Sequence, residues 1–171
     1  MKLILLLSIV VICSFIGFSY GEEFLKRTNQ LKELLRIVIE LENEIVYSHT
    51  PLPECLKKIA LKTKEPIKKL LEVVEEKLIK NEVLDVYDAF LRGINDEKEN
   101  LSLKQEHYDI ILDLSKSLGE TSIDNQHNIF SLAKEKLKRE IEETEKESKK
   151  NTKAYRSLGL GIGLMIVIFL M

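Results

Sequence analysis

Two uncharged apolar stretches enclose a middle in which apolar residues recur at helical spacing among charged ones. The first stretch runs from Leu3 to Tyr20 and the second from Leu158 to Met171. As helices they reach roughly 27 Å and 21 Å, against a hydrocarbon thickness of ~30 Å. We therefore expect an N-terminal transmembrane helix in residues 1–21, a helical domain in residues 22–156 and a C-terminal transmembrane segment in residues 157–171.

The first stretch allows two interpretations. Ser19-Tyr20-Gly21 has the small residues of a cleavage site, so residues 1–21 are either a cleaved signal peptide or a retained transmembrane helix. Retention is favoured, because the apolar run is longer than a signal peptide needs. Lysine and arginine cluster just inside both stretches, whereas Lys2 stands alone outside, so the positive-inside rule predicts a cytoplasmic middle.

The pattern of the middle predicts an all-α fold. Its first helix carries a heptad-like apolar stripe, formed by Phe24, Leu31, Leu34, Val38, Leu41 and Ile45. Further amphipathic patterns predict helices near residues 52–60, 67–78, 83–94 and 108–118, a polar loop at 95–103, and a long last helix capped by Thr121 or Ser122. These elements indicate a bundle of roughly six helices with the stripe facing its core.

The long last helix changes character along its length. Its apolar positions end at Ile141, and the residues after it are polar on every side. We therefore expect this helix to pack at its start, to continue as a solvated stalk, and to enter the membrane at its end.

Charge and cysteine content exclude several classes of function. The net charge of -2 lacks the basic excess of a nucleic-acid-binding surface. Cys13 and Cys55 lie in different environments and offer neither a disulfide nor a metal pair. We expect Cys55 to be a small buried apolar residue.

Catalytic and metal-binding patterns are missing from the sequence. None of the three histidines, His49, His107 and His127, stands in a metal-binding motif such as H-E-x-x-H. Three acidic residues alternate around the first helix and are interpreted as a solvated surface: Glu40, Glu42 and Glu44. We therefore expect no enzyme activity, no cofactor, no metal, no small-molecule substrate and no nucleic acid, so that the function is binding to other proteins and to the lipid bilayer.

A proline-rich corner follows the first helix. Pro51 and Pro53 must end that helix and can start the next one, with Thr50 as its cap and Leu52 in the core. The corner combines a rigid turn with polar side chains, and its candidate protein-interaction residues are Glu44, Tyr47, Thr50, Pro51, Leu52 and Pro53. The alternative is that these residues only shape the fold.

The glycines of the two apolar stretches suggest a second contact. Gly17 and Gly21 are four residues apart, as are Gly159 and Gly163, so each pair lies along one helix face and allows a close neighbour. We expect the two membrane helices to pack through these pairs, although glycine is also common in membrane helices that do not pair in this way.

Three segments of the sequence resemble the stage III sporulation protein AB family of endospore-forming bacteria. They are LENEIVYSHTPLPECL, LGETSIDNQ and AYRSLGLGIGLMIVIFLM, in register over nearly the whole chain. Cys55 stands where the family usually has alanine, and Ser122-Ile123 departs from an acidic pattern.

The resemblance implies a membrane platform in the channel that joins mother cell and forespore, with its middle in the mother-cell cytoplasm. Its helical domain is similar to the cytoplasmic domains of type II secretion and type IV pilus platform proteins. The implied partners are a secretion-type ATPase, stage III sporulation protein AA, and the other membrane subunits of that channel. Two other functions remain open on the residues alone: an exported, surface-tethered adhesin, and a tail-anchored tether that assembles by coiled coils.

Overall fold

The computed structural model describes the backbone of residues 2–118 and 123–170, and the side chains of residues 22–118, 127–150 and positions 157, 161, 165 and 166. Within these ranges the fold is all-α, as predicted. It consists of α1 (Lys2–Glu42), a π-helix (Asn43–Tyr47), α2 (Leu52–Ala60), α3 (Ile67–Ile79), α4 (Val86–Glu97), α5 (Gln105–Leu118) and α6 (Ile123–Leu170).

The chain forms two compact units, and the larger one, Asn29–Ile141, contains the helical core. In this unit α2 folds back along α1. This arrangement brings Thr63, just beyond α2, to Arg36 of α1, which donates a 2.9 Å hydrogen bond to it. The α5 helix runs parallel to the second half of α1. Just before the start of α5, the backbone N–H of Ser102 donates to the side chain of Gln30. At the C-terminal ends of the two helices, Leu41 and Leu118 border one apolar cavity.

The central part of the apolar stripe of α1 faces the core of this unit, as predicted. Leu31, Leu34, Val38 and Leu41 are each at most 3% exposed. They are covered by apolar residues of the same chain, and Leu34, Val38 and Leu41 share a cavity wall with residues of α3, α4 and α5. Because this covering is intramolecular, the central part of the stripe is not available as the seam of a coiled coil between chains.

A glycine allows α3 and α4 to cross closely. A Cβ atom at Gly93 would lie 2.7 Å from Cγ2 of Val74, which is closer than real Cβ contacts allow. Gly93 and Val74 are both buried, so this crossing is part of the core.

The limits of α4 differ from the prediction at both ends. The helix begins at Val86 rather than near residue 83, because Asp85 is its N-cap and accepts a 2.7 Å hydrogen bond from the backbone N–H of Asp88. It continues to Glu97, beyond the predicted end at residue 94. The loop that follows is shorter than expected and buries Leu101.

The smaller unit comprises residues 1–28 and 142–171. Thr144 and Ser148 of α6 are only 4% and 5% exposed, so the prediction of a stalk solvated on all sides is wrong. Threonine and serine side chains have little apolar surface of their own. The pattern of apolar residues in the sequence therefore did not predict that this face of α6 is buried.

No helix is long and apolar enough to cross a membrane among the residues that the structure describes. The predicted transmembrane segments, residues 1–21 and 157–171, lie almost entirely outside the described side chains. They therefore stay predictions.

Candidate protein-interaction site

The corner after α1 is built on a π-helical turn. Over Asn43–Tyr47 the backbone widens, and Ser48 N–H donates to the carbonyl of Asn43, five residues earlier, at 3.1 Å. His49 then adopts a left-handed conformation with φ of 53°. The N–H of Thr50 closes the turn by donating to the carbonyl of Glu44 at 2.9 Å. The corner is therefore a hydrogen-bonded turn with a defined shape.

Glu44 connects this turn to α2. One of its carboxylate oxygens accepts a 2.8 Å hydrogen bond from the Thr50 hydroxyl and lies 3.3 Å from the Lys58 ammonium. The bond from Thr50 and the charge of Lys58 hold the pKa of Glu44 below its usual value. The bond to Glu44 raises the pKa of Lys58 in turn.

The predicted capping role of Thr50 is wrong. The residue that caps α2 is Pro51, which makes no side-chain hydrogen bond, and Pro53 occupies the second helical position. Because proline lacks an N–H, Pro53 removes one of the donors that a capping hydroxyl would accept from. The hydroxyl of Thr50 instead acts as a donor to the carboxylate of Glu44, and a hydrogen bond to a charged acceptor is stronger than one between neutral groups.

The corner presents both exposed and anchored residues. Tyr47 is 66% exposed and Pro51 is also exposed, whereas Leu52 is half-buried and packs against the core. Beneath them Cys55 is fully buried, as predicted, and its thiol donates to the carbonyl of Thr50 at 3.3 Å. Burial raises the pKa of this thiol to about 11, so it is poorly reactive.

A buried carboxylate next to the corner was not anticipated. Glu42 is 5% exposed; it pairs with the ammonium of Lys134, and its other oxygen lies 3.0 Å from Nδ1 of His127. Its interpretation as part of a solvated acidic surface is therefore wrong. The two partners lie on α6, far along the chain, so no local pattern identifies them.

His107 lies in a third polar cluster, between α5 and α6. Its Nε2 is 3.7 Å from carboxylate oxygens of both Glu106 and Glu140, a grouping that has the donor types of a metal site. However, the N–H of Lys104 donates to Nδ1 of His107 at 3.0 Å. A neutral imidazole that binds a metal through Nε2 carries its proton on Nδ1, where it acts as a donor. The observed bond therefore fits a helix cap rather than a metal ligand.

The predicted glycine contacts lie outside the described side chains. This applies to Gly17, Gly21, Gly159 and Gly163 alike. Their packing stays a prediction.

Comparisons with known proteins agree with the helical fold. A family model described as "Stage III sporulation protein AB" matches residues 2–171. The chain is 28% identical over 171 residues to "Stage III sporulation protein AB" of Bacillus subtilis (strain 168), covering 100% of this chain and 99% of that protein. A solved structure of stage III sporulation protein AB is similar with a TM-score of 0.68 and 25% identity, over 72% of this chain and 97% of that one. The chain therefore belongs to the stage III sporulation protein AB family.

Proposed function

We propose that this chain is a non-enzymatic membrane platform subunit of the sporulation channel between mother cell and forespore. In this proposal its helical domain lies in the mother-cell cytoplasm and couples a secretion-type ATPase, stage III sporulation protein AA, to the other membrane subunits. Membership of the stage III sporulation protein AB family supports a role in sporulation. The residues that would contact the ATPase are those of the corner.

The exposed Tyr47 on a hydrogen-bonded turn is the observation that carries this proposal. Tyrosine is enriched among the residues that dominate binding energy at protein interfaces. A residue held in place before binding loses less conformational entropy when the partner arrives. Tyr47 is 66% exposed at the end of the π-turn, and Glu44, Thr50 and Lys58 fix the chain around it.

The same geometry supports a scaffold role rather than catalysis. The carboxylate of Glu44 is bonded to a hydroxyl and an ammonium, and the thiol of Cys55 is buried with a raised pKa. Neither group is placed to act as a base or a nucleophile on an external substrate.

Site-specific photocrosslinking in sporulating cells tests the proposal. A photoreactive amino acid replaces Tyr47 in the full-length chain, and the crosslinked proteins are identified by mass spectrometry. We expect the ATPase to be captured from this position. As a matched control, the same amino acid replaces Leu132 of α6, which is 53% exposed.

A Tyr47→Ala variant separates binding from folding. Because the side chain is mostly exposed, we expect the melting temperature to change little while co-purification of the ATPase falls roughly tenfold or more. Equal capture of the ATPase from positions 47 and 132, or normal co-purification with Tyr47→Ala, would contradict a coupling role for the corner.

A further inference from the structure

Two leucines at opposite ends of α3 are unusually exposed. Leu84, in the turn after α3, is 92% exposed, and Leu61, in the turn before it, is 78% exposed. The 13 residues of α3 separate the two turns by roughly 20 Å along the helix axis. Single exposed leucines are common on protein surfaces, so what distinguishes these two is how the chain holds them.

The turn that carries Leu84 is held by side-chain hydrogen bonds. Its N–H donates to a carboxylate oxygen of Asp88 at 3.1 Å, while the other oxygen of Asp88 accepts from Arg92 at 2.9 Å. The neighbouring Val83 packs against the core. With Val83 packed inward and the backbone held by Asp88, the turn directs Leu84 to solvent.

The turn that carries Leu61 is fixed in a similar way. Thr63 is 6% exposed, donates to the carbonyl of Ile59 at 2.8 Å, and accepts a 2.9 Å hydrogen bond from Arg36. The N–H of Leu61 itself donates to the carbonyl of Lys57. Thr63 is therefore anchored inward, and Leu61 stands at the outside of an ordered turn.

The charges around the two leucines are opposite in sign. Leu61 is surrounded in the sequence by exposed lysines: Lys57, Lys58, Lys62, Lys64 and Lys69. Lys58 pairs with Glu44 and Glu54, and Glu65 offsets one further lysine, but the remaining lysines still leave this turn with a positive excess. Leu84 lies between the exposed acids Glu82 and Asp85. The other acids near this turn are neutralised, since Glu76 pairs with Lys80 and Asp88 pairs with Arg92. The Leu84 turn therefore has a negative excess.

We propose that copies of this chain associate head to tail, with Leu84 of one copy packing against Leu61 of the next. Apolar contact at the centre with opposite charges at the rim is the usual composition of a specific interface. The two surfaces are different and lie at opposite ends of one helix, so the contact is heterologous and produces a ring or an open row of copies. This association is independent of the proposed binding of an ATPase at the corner.

Disulfide crosslinking between two differently tagged full-length chains tests the proposal in membranes of the producing cells. Both chains carry Cys13→Ser and retain Cys55, which is fully buried. One chain carries Leu61→Cys and the other Leu84→Cys. We expect mixed dimers from this pair at a yield roughly tenfold above pairs in which Leu132→Cys replaces either partner. The Leu132 side chain is 53% exposed and serves as the matched control.

Charge reversal gives a second, independent readout. Glu82→Lys or Lys62→Glu alone should lower the yield roughly threefold, and the two changes together should restore it, because the rim charges are then exchanged. Both side chains are exposed, so the melting temperatures should stay unchanged.

Three results would overturn the proposal. The first is a mixed-dimer yield no higher than that of the Leu132 controls. The second is a preference for Leu84-to-Leu84 dimers, which would indicate a symmetric contact. The third is crosslinking of Leu84→Cys to a different protein, with no dimer of this chain.

Discussion

Glu42 illustrates how single residues in this protein depend on distant partners. Its carboxylate is buried at the end of α1, where it pairs with Lys134 of α6 and lies 3.0 Å from Nδ1 of His127. A charge taken out of water is costly, and the cost is offset only while its partner remains in place. The pair itself therefore adds little to the free energy of unfolding, but losing one partner would leave an unpaired buried charge, which is strongly destabilising.

Removing Lys134 should destabilise the fold strongly. In Lys134→Met the apolar part of the side chain stays, but the buried carboxylate of Glu42 loses its ammonium partner. We expect the free energy of unfolding to fall by about 3 kcal/mol, measured by urea denaturation of the full-length chain in detergent.

Two controls show whether burial is the cause. Lys136 pairs with Asp113 at 3.3 Å, but these side chains are 36% and 61% exposed, against 6% for that of Glu42. Lys136→Met should cost only about 0.5 kcal/mol or less. Glu42→Gln combined with Lys134→Met should recover part of the lost stability, because no buried charge is left. Equal effects of the two lysine substitutions would refute the explanation.

At the scale of elements, the crossing of α3 and α4 depends on the absence of one side chain. Alanine is favoured over glycine within a helix by about 1 kcal/mol. At Gly93, however, the added Cβ would meet Cγ2 of Val74 at 2.7 Å. Valine has little rotamer freedom, so the two helices would have to move apart.

Gly93→Ala should therefore destabilise the protein, against the helix propensities. We expect a loss of about 1–3 kcal/mol, typical of an overpacked core, measured by thermal or urea unfolding. Combining it with Val74→Ala should give a double variant more stable than the sum of the two single effects, because the clash is removed. Stabilisation by Gly93→Ala alone would show that the helices adjust without cost.

At the scale of the whole molecule, the distribution of lysine and arginine predicts which side of the membrane each part occupies. Glu99 lies exposed in the loop between α4 and α5, so Glu99→Cys provides a labelling site in a Cys13→Ser background. We expect an impermeant thiol reagent to label this cysteine only after the cells are permeabilised, because the helical domain is predicted to be cytoplasmic.

The labelling experiment also tests the alternative of an exported adhesin. Labelling of Glu99→Cys in intact cells, together with a mature N-terminus at Glu22, would contradict the cytoplasmic placement. Cys55 is buried and adds little background.

The fold class, the apolar faces of the helices in the larger unit and the position of the corner follow from the amino-acid sequence alone. These features depend on residues close together in the chain, because apolar residues three or four apart lie on one face of a helix and proline acts on its own neighbours. The stripe from Leu31 to Leu41 and the corner at Pro51 were therefore predicted correctly.

The burial of polar side chains and the identity of their partners are visible only in the three-dimensional structure. His107 faces Glu140 and Glu42 faces Lys134 across helices that are far apart in sequence. Even within the corner, Thr50 reaches Glu44 because a π-turn widens the helix end, and the pattern of apolar residues gave no sign of that turn. Polar partners are selected by three-dimensional proximity, which the order of hydrophobic and polar residues along a chain does not encode.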